Sequence, residues 1–329
     1  MNPRLLIASL CLICFHLGQS QIIRNKTTLL MGSRFDITVV AENEQSADQF
    51  IQDAEDEIIR IENLISSWKT DSQISEVNRM AGKAPIKVDL EVIELIERAL
   101  TLSKITDGAF DISYASMDQI WKFDGSMDSR MPSPDEIRAS VSKIGYEHIL
   151  IDKKNQTVFL EHAGMKIGFG AIGKGYAADR AKNVLIKKGV TAGIINASGD
   201  LTTWGRKPDQ TEWMVGITNP LNKTKFFSWL PLADKAIATS GNYEKKVIID
   251  DLEYSHIIDP RTGYPVRGIS SVSIISDSAE LSDALATSVF VLGVEKGLFL
   301  IDQLEQVECL IVDSNNQMHF SKQLKSKPE

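Results

Sequence analysis

At 329 residues the chain is long enough for one large domain or two intimate ones, with ample capacity to bury a core. Its 43% hydrophobic and 24% charged content is that of an ordinary globular protein. The net charge of -8, with lysines scattered among acids and no basic stripe, argues against a nucleic-acid partner and favours a small molecule or a protein.

Arg4 precedes LLIASLCLICFHLG, an apolar run too short for a comfortable membrane span and of the kind that begins a secretory signal. Small residues Gly18 and Ser20 suit a signal peptidase, so residues 1–20 are expected to leave and 21–329 to form the mature domain. Export to the periplasm follows. A lipid anchor wants a small residue before the cysteine, but Ile13 precedes Cys14 and Leu10 precedes Cys11, so attachment to the inner membrane is the lesser alternative. Cleavage leaves Cys309 alone, without an intrachain disulfide, in the apolar run CLIV that reads as core.

Met31 to Val40 alternates as a strand, and from Ser46, read as an N-cap, the spacing of Phe50, Ile51, Ala54, Ile58, Ile61, Leu64 and Ile65 predicts a long amphipathic helix. It empties into SSWKTDSQISEVNR, a polar loop carrying Trp68. A second helix is expected over about Asp89 to Ile105, followed by the tight turn TDGAFDIS. Ser133, Pro134 and Glu136 form a capping box with an N1 proline, for a short helix that Gly145 terminates. Ile149–Ile151 and Val158–Leu160 flank DKKNQT as a hairpin.

Glycines 168, 170, 173 and 175 then fall between an apolar run ending in Ile167 and a helix beginning near Tyr176. Gly168 to Lys174 fits most of a P-loop, but Gly175 replaces the Ser or Thr whose hydroxyl would meet Mg²⁺. Backbone N–H groups at such a turn suit an anion, while the plainer reading is close packing. Further on, GIIN, Trp213–Ile217, Ala236–Tyr243 and Val272–Ile275 read as strands, and Ala279 to about Leu292 as a helix. No repeat or flexible linker appears. The fold class is α+β, with two interwoven lobes.

Asp283 and Thr287 stand at i and i+4 on a helix whose other residues are mostly apolar. A carboxylate there wants a cation, and an oxygen donor set suits Mg²⁺ or Ca²⁺, Mg²⁺ if phosphate shares the site. His256 sits beside a loop of Asp, Arg and Thr, suitable company for a general base. Together these suggest metal-assisted chemistry on a phosphate ester or anhydride.

MGSRFDI, SSWKTDSQISEVN, TDGAFDIS, GFGAIGKGYAADRA, NASGDL, ATSGNYE, HIIDPRTGYP and SDALATSVFVLG occur in that order from Met31 to Gly293, and through them the chain resembles the ApbE-type FAD:protein FMN transferases. The resemblance implies an ApbE-like fold with FAD bound between the lobes. It also implies Mg²⁺-dependent transfer of FMN to a threonine or serine of an exported acceptor, such as an Rnf- or Nqr-type electron-transport subunit, with release of AMP. Matched by motif, the metal ligands would be Asp283, Thr287 and the backbone carbonyl of Ala171. Lys174 would pair with phosphate or fix the turn, and His256 would take the acceptor proton. Met31, Trp68, Asp107, Ala109, Asp111, Thr239, Ser240 and Gly241 would contact the cofactor, as would Lys174 and His256; Asp179 would brace the loop or touch the cofactor. Trp68 replaces a tyrosine common in the family, and NASGD a double glycine. The competing readings are an FAD pyrophosphatase giving FMN and AMP, and a periplasmic FAD-binding protein without turnover; a P-loop kinase is poorer, since Gly175 has no hydroxyl.

Overall fold

The computed structural model describes residues 21–123, 131–219, 222–242, 246–249 and 252–325; the expected signal, residues 1–20, lies outside them, as does Tyr243. The described chain opens on a hairpin of β1 (Ile22–Leu30) and β2 (Ser33–Ala41). Met31 and Gly32 form its two-residue turn, both at positive φ (49° and 67°), which matches the twist of the flanking strands. The pattern that puts Met31 in a strand is thus corrected, and β1, with a polar centre at Arg24–Thr28, gave no strand signal.

Helix α1 (Glu44–Ile65) buries Ile51, Ala54, Ile58, Ile61 and Ile65 on one stripe. Its cap is Asn43, whose Oδ1 accepts the Ser46 N–H at 2.9 Å, so Ser46 is inside the first turn and not the cap. The expected polar loop after Trp68 holds a second helix, α2 (Gln73–Arg79), because Ser72 caps it through the Ser75 N–H at 3.0 Å. Strand β3 (Ile86–Lys87) leads to α3 (Leu90–Ile105), with Asp89 at the N-cap and Val92, Ile96 and Ala99 buried. In α4 (Pro134–Ser140) both arms of the Ser133–Glu136 capping box close. It stops at Ser140, and Gly145 instead opens a 3₁₀ turn at Tyr146–His148. The hairpin of β4 (Ile149–Asp152) and β5 (Thr157–Leu160) forms where expected.

Helix α5 (Gly173–Lys187) follows the glycine turn. Next come β6 (Gly193–Ala197), β7 (Asp200–Trp204), β8 (Trp213–Asn219), β9 (Asn222–Leu232), β10 (Ala236–Gly241), β11 (Lys246–Ile249), β12 (Leu252–Ser255) and β13 (Ile269–Ser276). The run α6 (Ala279–Ile301) is two helices across a kink: Gly293, at φ 79° and ψ -179°, is non-helical, so the first ends where expected near Leu292 and a second carries on to Ile301. The strands β14 (Glu308–Asp313) and β15 (Met318–Phe320) and the short α7 (Lys322–Lys325) finish the described chain.

The main sheet has eight strands in the order β1-β2-β6-β7-β10-β13-β14-β15, and every neighbouring pair is antiparallel. Helices α1, α5 and α6 cover one face. On the other face Leu201, Ile237, Ile275 and Leu310 meet Val215 of β8 and Leu232 of β9. A three-stranded sheet, β3-β5-β4, belongs to the second lobe. Phe35, Ile274 and Phe290 of the first lobe share one continuous hydrophobic cluster with Ile96 and Leu160 of the second, so the lobes are joined by a common core. Cys309 is fully buried in that cluster, and burial pushes its thiol pKa well up.

Candidate active site

The glycine turn does two jobs. A Cβ at 175 would overlap the backbone of Ala279, so α5 and α6 touch through bare backbone there. That explains the missing P-loop hydroxyl: no side chain fits at 175. Around Gly170, by contrast, a Cβ would meet nothing within 4 Å. The run leading into the turn is not a strand. The Asn78 side chain takes the place of a strand neighbour, accepting from Ile167 N–H at 2.8 Å and donating to Ile167 C=O at 3.0 Å. Met31 Cε reaches over Gly173, which brings the β1–β2 turn to the same place.

Across this contact Asp283, only 4% exposed, points from α6 to the start of α5. Gly175 N–H, one of the first-turn amides that has no partner within its own helix, donates to the Asp283 Oδ2 at 3.2 Å. Lys174 Nζ lies 3.8 Å from the same oxygen and makes a closer ion pair with Asp200, itself buried at the head of β7. Burial pushes the Asp283 carboxyl pKa up, opposed by the Lys174 charge and the Gly175 N–H. One turn along, Thr287 Oγ1 lies 3.2 Å from Ser240 Oγ at the end of β10. Sequence patterning gave Asp200 no role. The available signal was an acid leading DLTTW, a strand buried along its whole length.

Strand alternation separates two expected partners. Ser240 faces α6, whereas Thr239 lies on the opposite face and pairs with Ser273 Oγ at 2.8 Å. Gly241 closes the strand. Asp179 is tied to the start of α6, its Oδ2 accepting from Ser278 Oγ (2.8 Å) and Glu280 N–H (2.9 Å).

Asp107, Ala109 and Asp111 form a separate group. Asp107 turns the chain at φ 51°, and Ala109 is buried. The Asp111 carboxylate accepts from Ser113 N–H (2.7 Å), Ser113 Oγ (2.6 Å) and Tyr146 N–H (2.9 Å). Burial raises its pKa and these donors oppose the rise. Asp107 and Asp111 line a cavity of about 330 Å³ with Tyr146, Glu147 and Arg261. Arg261 holds Asp259 through Nε and Nη2, both at 2.8 Å, and reaches the Asp107 carbonyl at 3.4 Å. Tyr146 and Glu147 were not expected here, since they lie far from the TDGAFDIS motif in sequence. His256 follows β12 directly and presents its ring to the edge of Phe123 at 6.5 Å. Trp68 is 86% exposed, its backbone N–H held by Ser66 Oγ at 3.2 Å.

An oxygen-only donor set is therefore available at the α5–α6 contact, and among the described residues no three His, Cys, Asp or Glu side chains converge as a metal cage. A carboxylate and a hydroxyl are oxygen donors of the kind that suit Mg²⁺, which takes one or two carboxylates and completes its shell with water and substrate phosphates.

A sequence model described as the ApbE family matches residues 31–311. A Klebsiella pneumoniae protein named FAD:protein FMN transferase is 31% identical over 297 residues, covering 90% of each chain. The crystal structure of the ApbE protein from Thermotoga maritima superposes with a TM-score of 0.84 at 30% identity, over 92% of this chain and 98% of that one. The Pseudomonas stutzeri flavinyl transferase ApbE gives 0.82 at 26% identity, over 93% and 96%. With a family match across most of its length, and the interwoven α+β fold of those structures, the chain belongs to the ApbE family and is a transferase.

Proposed function

We propose that the chain is an exported, Mg²⁺-dependent FAD:protein FMN transferase. It moves FMN from FAD to a threonine or serine hydroxyl of a periplasmic acceptor and releases AMP. The observation that carries this reading is buried Asp283, with half-buried Thr287 one turn along, set against Gly175 and Lys174 at the start of α5. Asp283, Thr287 and the Ala171 carbonyl would hold Mg²⁺, which when bound neutralises charge on the transferring phosphoryl group. Lys174 and the N–H groups of the turn bind the pyrophosphate. The acceptor oxygen attacks the FMN phosphorus, the phosphoanhydride bond to AMP breaks, and His256 takes the hydroxyl proton.

Names borne by relatives support flavin transfer, and the oxygen donor set supports the metal. The signal pattern of residues 1–20 supports export, with electron-transport subunits of the Rnf or Nqr type as the acceptor class. The test is incubation of the chain from Gln21 with FAD, Mg²⁺ and an exported acceptor domain from the same organism, read by intact mass. A gain equal to FMN, abolished by chelator, is expected. Free FMN and AMP beside an unmodified acceptor would replace the reading with FAD hydrolysis, and intact FAD would reduce it to binding.

A further inference from the structure

Lys174 reaches from the second residue of α5 to buried carboxylates on two other elements, Asp200 on β7 and Asp283 on α6. The sharing is unequal: Nζ is in close contact with Asp200 and 3.8 Å from Asp283. The ammonium thus lies beside two buried carboxylates, and it sits nearer the one that the proposed metal set does not use. A divalent cation and an ammonium compete for the same Asp283 oxygens, and in a site shielded from water their repulsion is strong.

We propose that Asp200 is a positioning residue for metal loading, holding Lys174 away from Asp283 so that a divalent cation can take that carboxylate. This rests on the assignment of Asp283 as a metal ligand. Asp200 touches neither the metal nor the reacting atoms, and it acts through Lys174. Lys174 in turn stands in for the cation, keeping two buried acids compatible with the fold until the metal arrives.

The experiment titrates Mn²⁺ into the purified chain without FAD, following the free ion by its EPR signal, for wild type and four variants. Asp200→Asn lets the ammonium settle on Asp283 and weakens Mn²⁺ binding by about tenfold. Lys174→Met removes the competitor and strengthens binding by about tenfold, which a purely structural role for either residue would not produce. Asp200→Glu keeps the charge and binds as wild type does. In the Lys174→Met background, Asp200→Asn loses clearly less than it does alone, because only its direct charge remains to be lost.

Equal losses in both backgrounds, or wild-type affinity in Asp200→Asn, overturn the inference while leaving the metal site standing. Absence of Mn²⁺ binding by the wild type sinks the metal assignment and the inference together. Should Asp200→Asn fail to fold, Lys174→Met and Asp200→Glu decide alone, and weaker binding by Lys174→Met overturns the idea.

Discussion

The α5–α6 contact and the Asp107–Arg261 cavity are built differently. At the first, Asp283 and Asp200 are buried, Gly175 admits no side chain, and Lys174 is fixed between acids on two other elements. At the second, the residues come from turns and loops around an open space of about 330 Å³; the expected ring partner, Trp68, is 86% exposed. Groups that handle charge sit in the core, where neighbours fix them and little reorganisation remains for the reaction. Groups that would recognise the rest of a ligand sit on turns and loops, some buried, as Ala109 and Asp111 are, and some open, as Trp68 is.

Asp283→Ala should break the buried side completely: transfer falls by about a thousandfold or more, metal dependence disappears, and timed intact-mass assays read both. A residual rate that still rises with Mg²⁺ would move the metal elsewhere. Gly175→Ala forces a methyl into the Ala279 backbone, so destabilisation of about 3 kcal/mol or more is expected in urea melts. A variant as stable as wild type would mean that the helices can part there. His256→Ala should cut transfer by about a hundredfold while FAD still binds, and an active variant would refute the base assignment. Trp68→Ala touches only the open side: FAD affinity drops by about tenfold, by fluorescence quenching, with an unchanged melting temperature. A destabilised Trp68→Ala would place that residue on the buried side instead.

Much of this fold was legible locally. The apolar periodicity of α1 and α3, the Ser133–Glu136 box and the β4–β5 hairpin each follow from a few neighbouring residues. Strand β1 was not, because it has one partner, β2, and faces solvent at the sheet edge, so its sequence carries no burial pattern. The break at Gly293 falls where expected, and what went unread is the second helix beyond it, whose apolar residues pack on the same core. Within the site, Asp283, Thr287 and the glycine turn could be reasoned from residue chemistry. The grouping of Met31, Trp68 and the Asp107–Asp111 turn came from motif resemblance alone. Asp200 could be read only as part of a polar strand-end loop: its partner is 26 residues away, and only the fold brings them together.

The amide of Asn78 grips Ile167 from 89 residues away with both its donor and its acceptor. Asn78 lies on α2, just beyond the Trp68 loop, and Ile167 immediately precedes the glycine turn. One side chain therefore acts as a ruler between the two ends of the proposed ligand, a ring system at Trp68 and a phosphate at the turn. A ligand with a longer or shorter span between ring and phosphate would reach one end and miss the other. Selectivity for ligand length would then reside in a residue that touches no ligand at all.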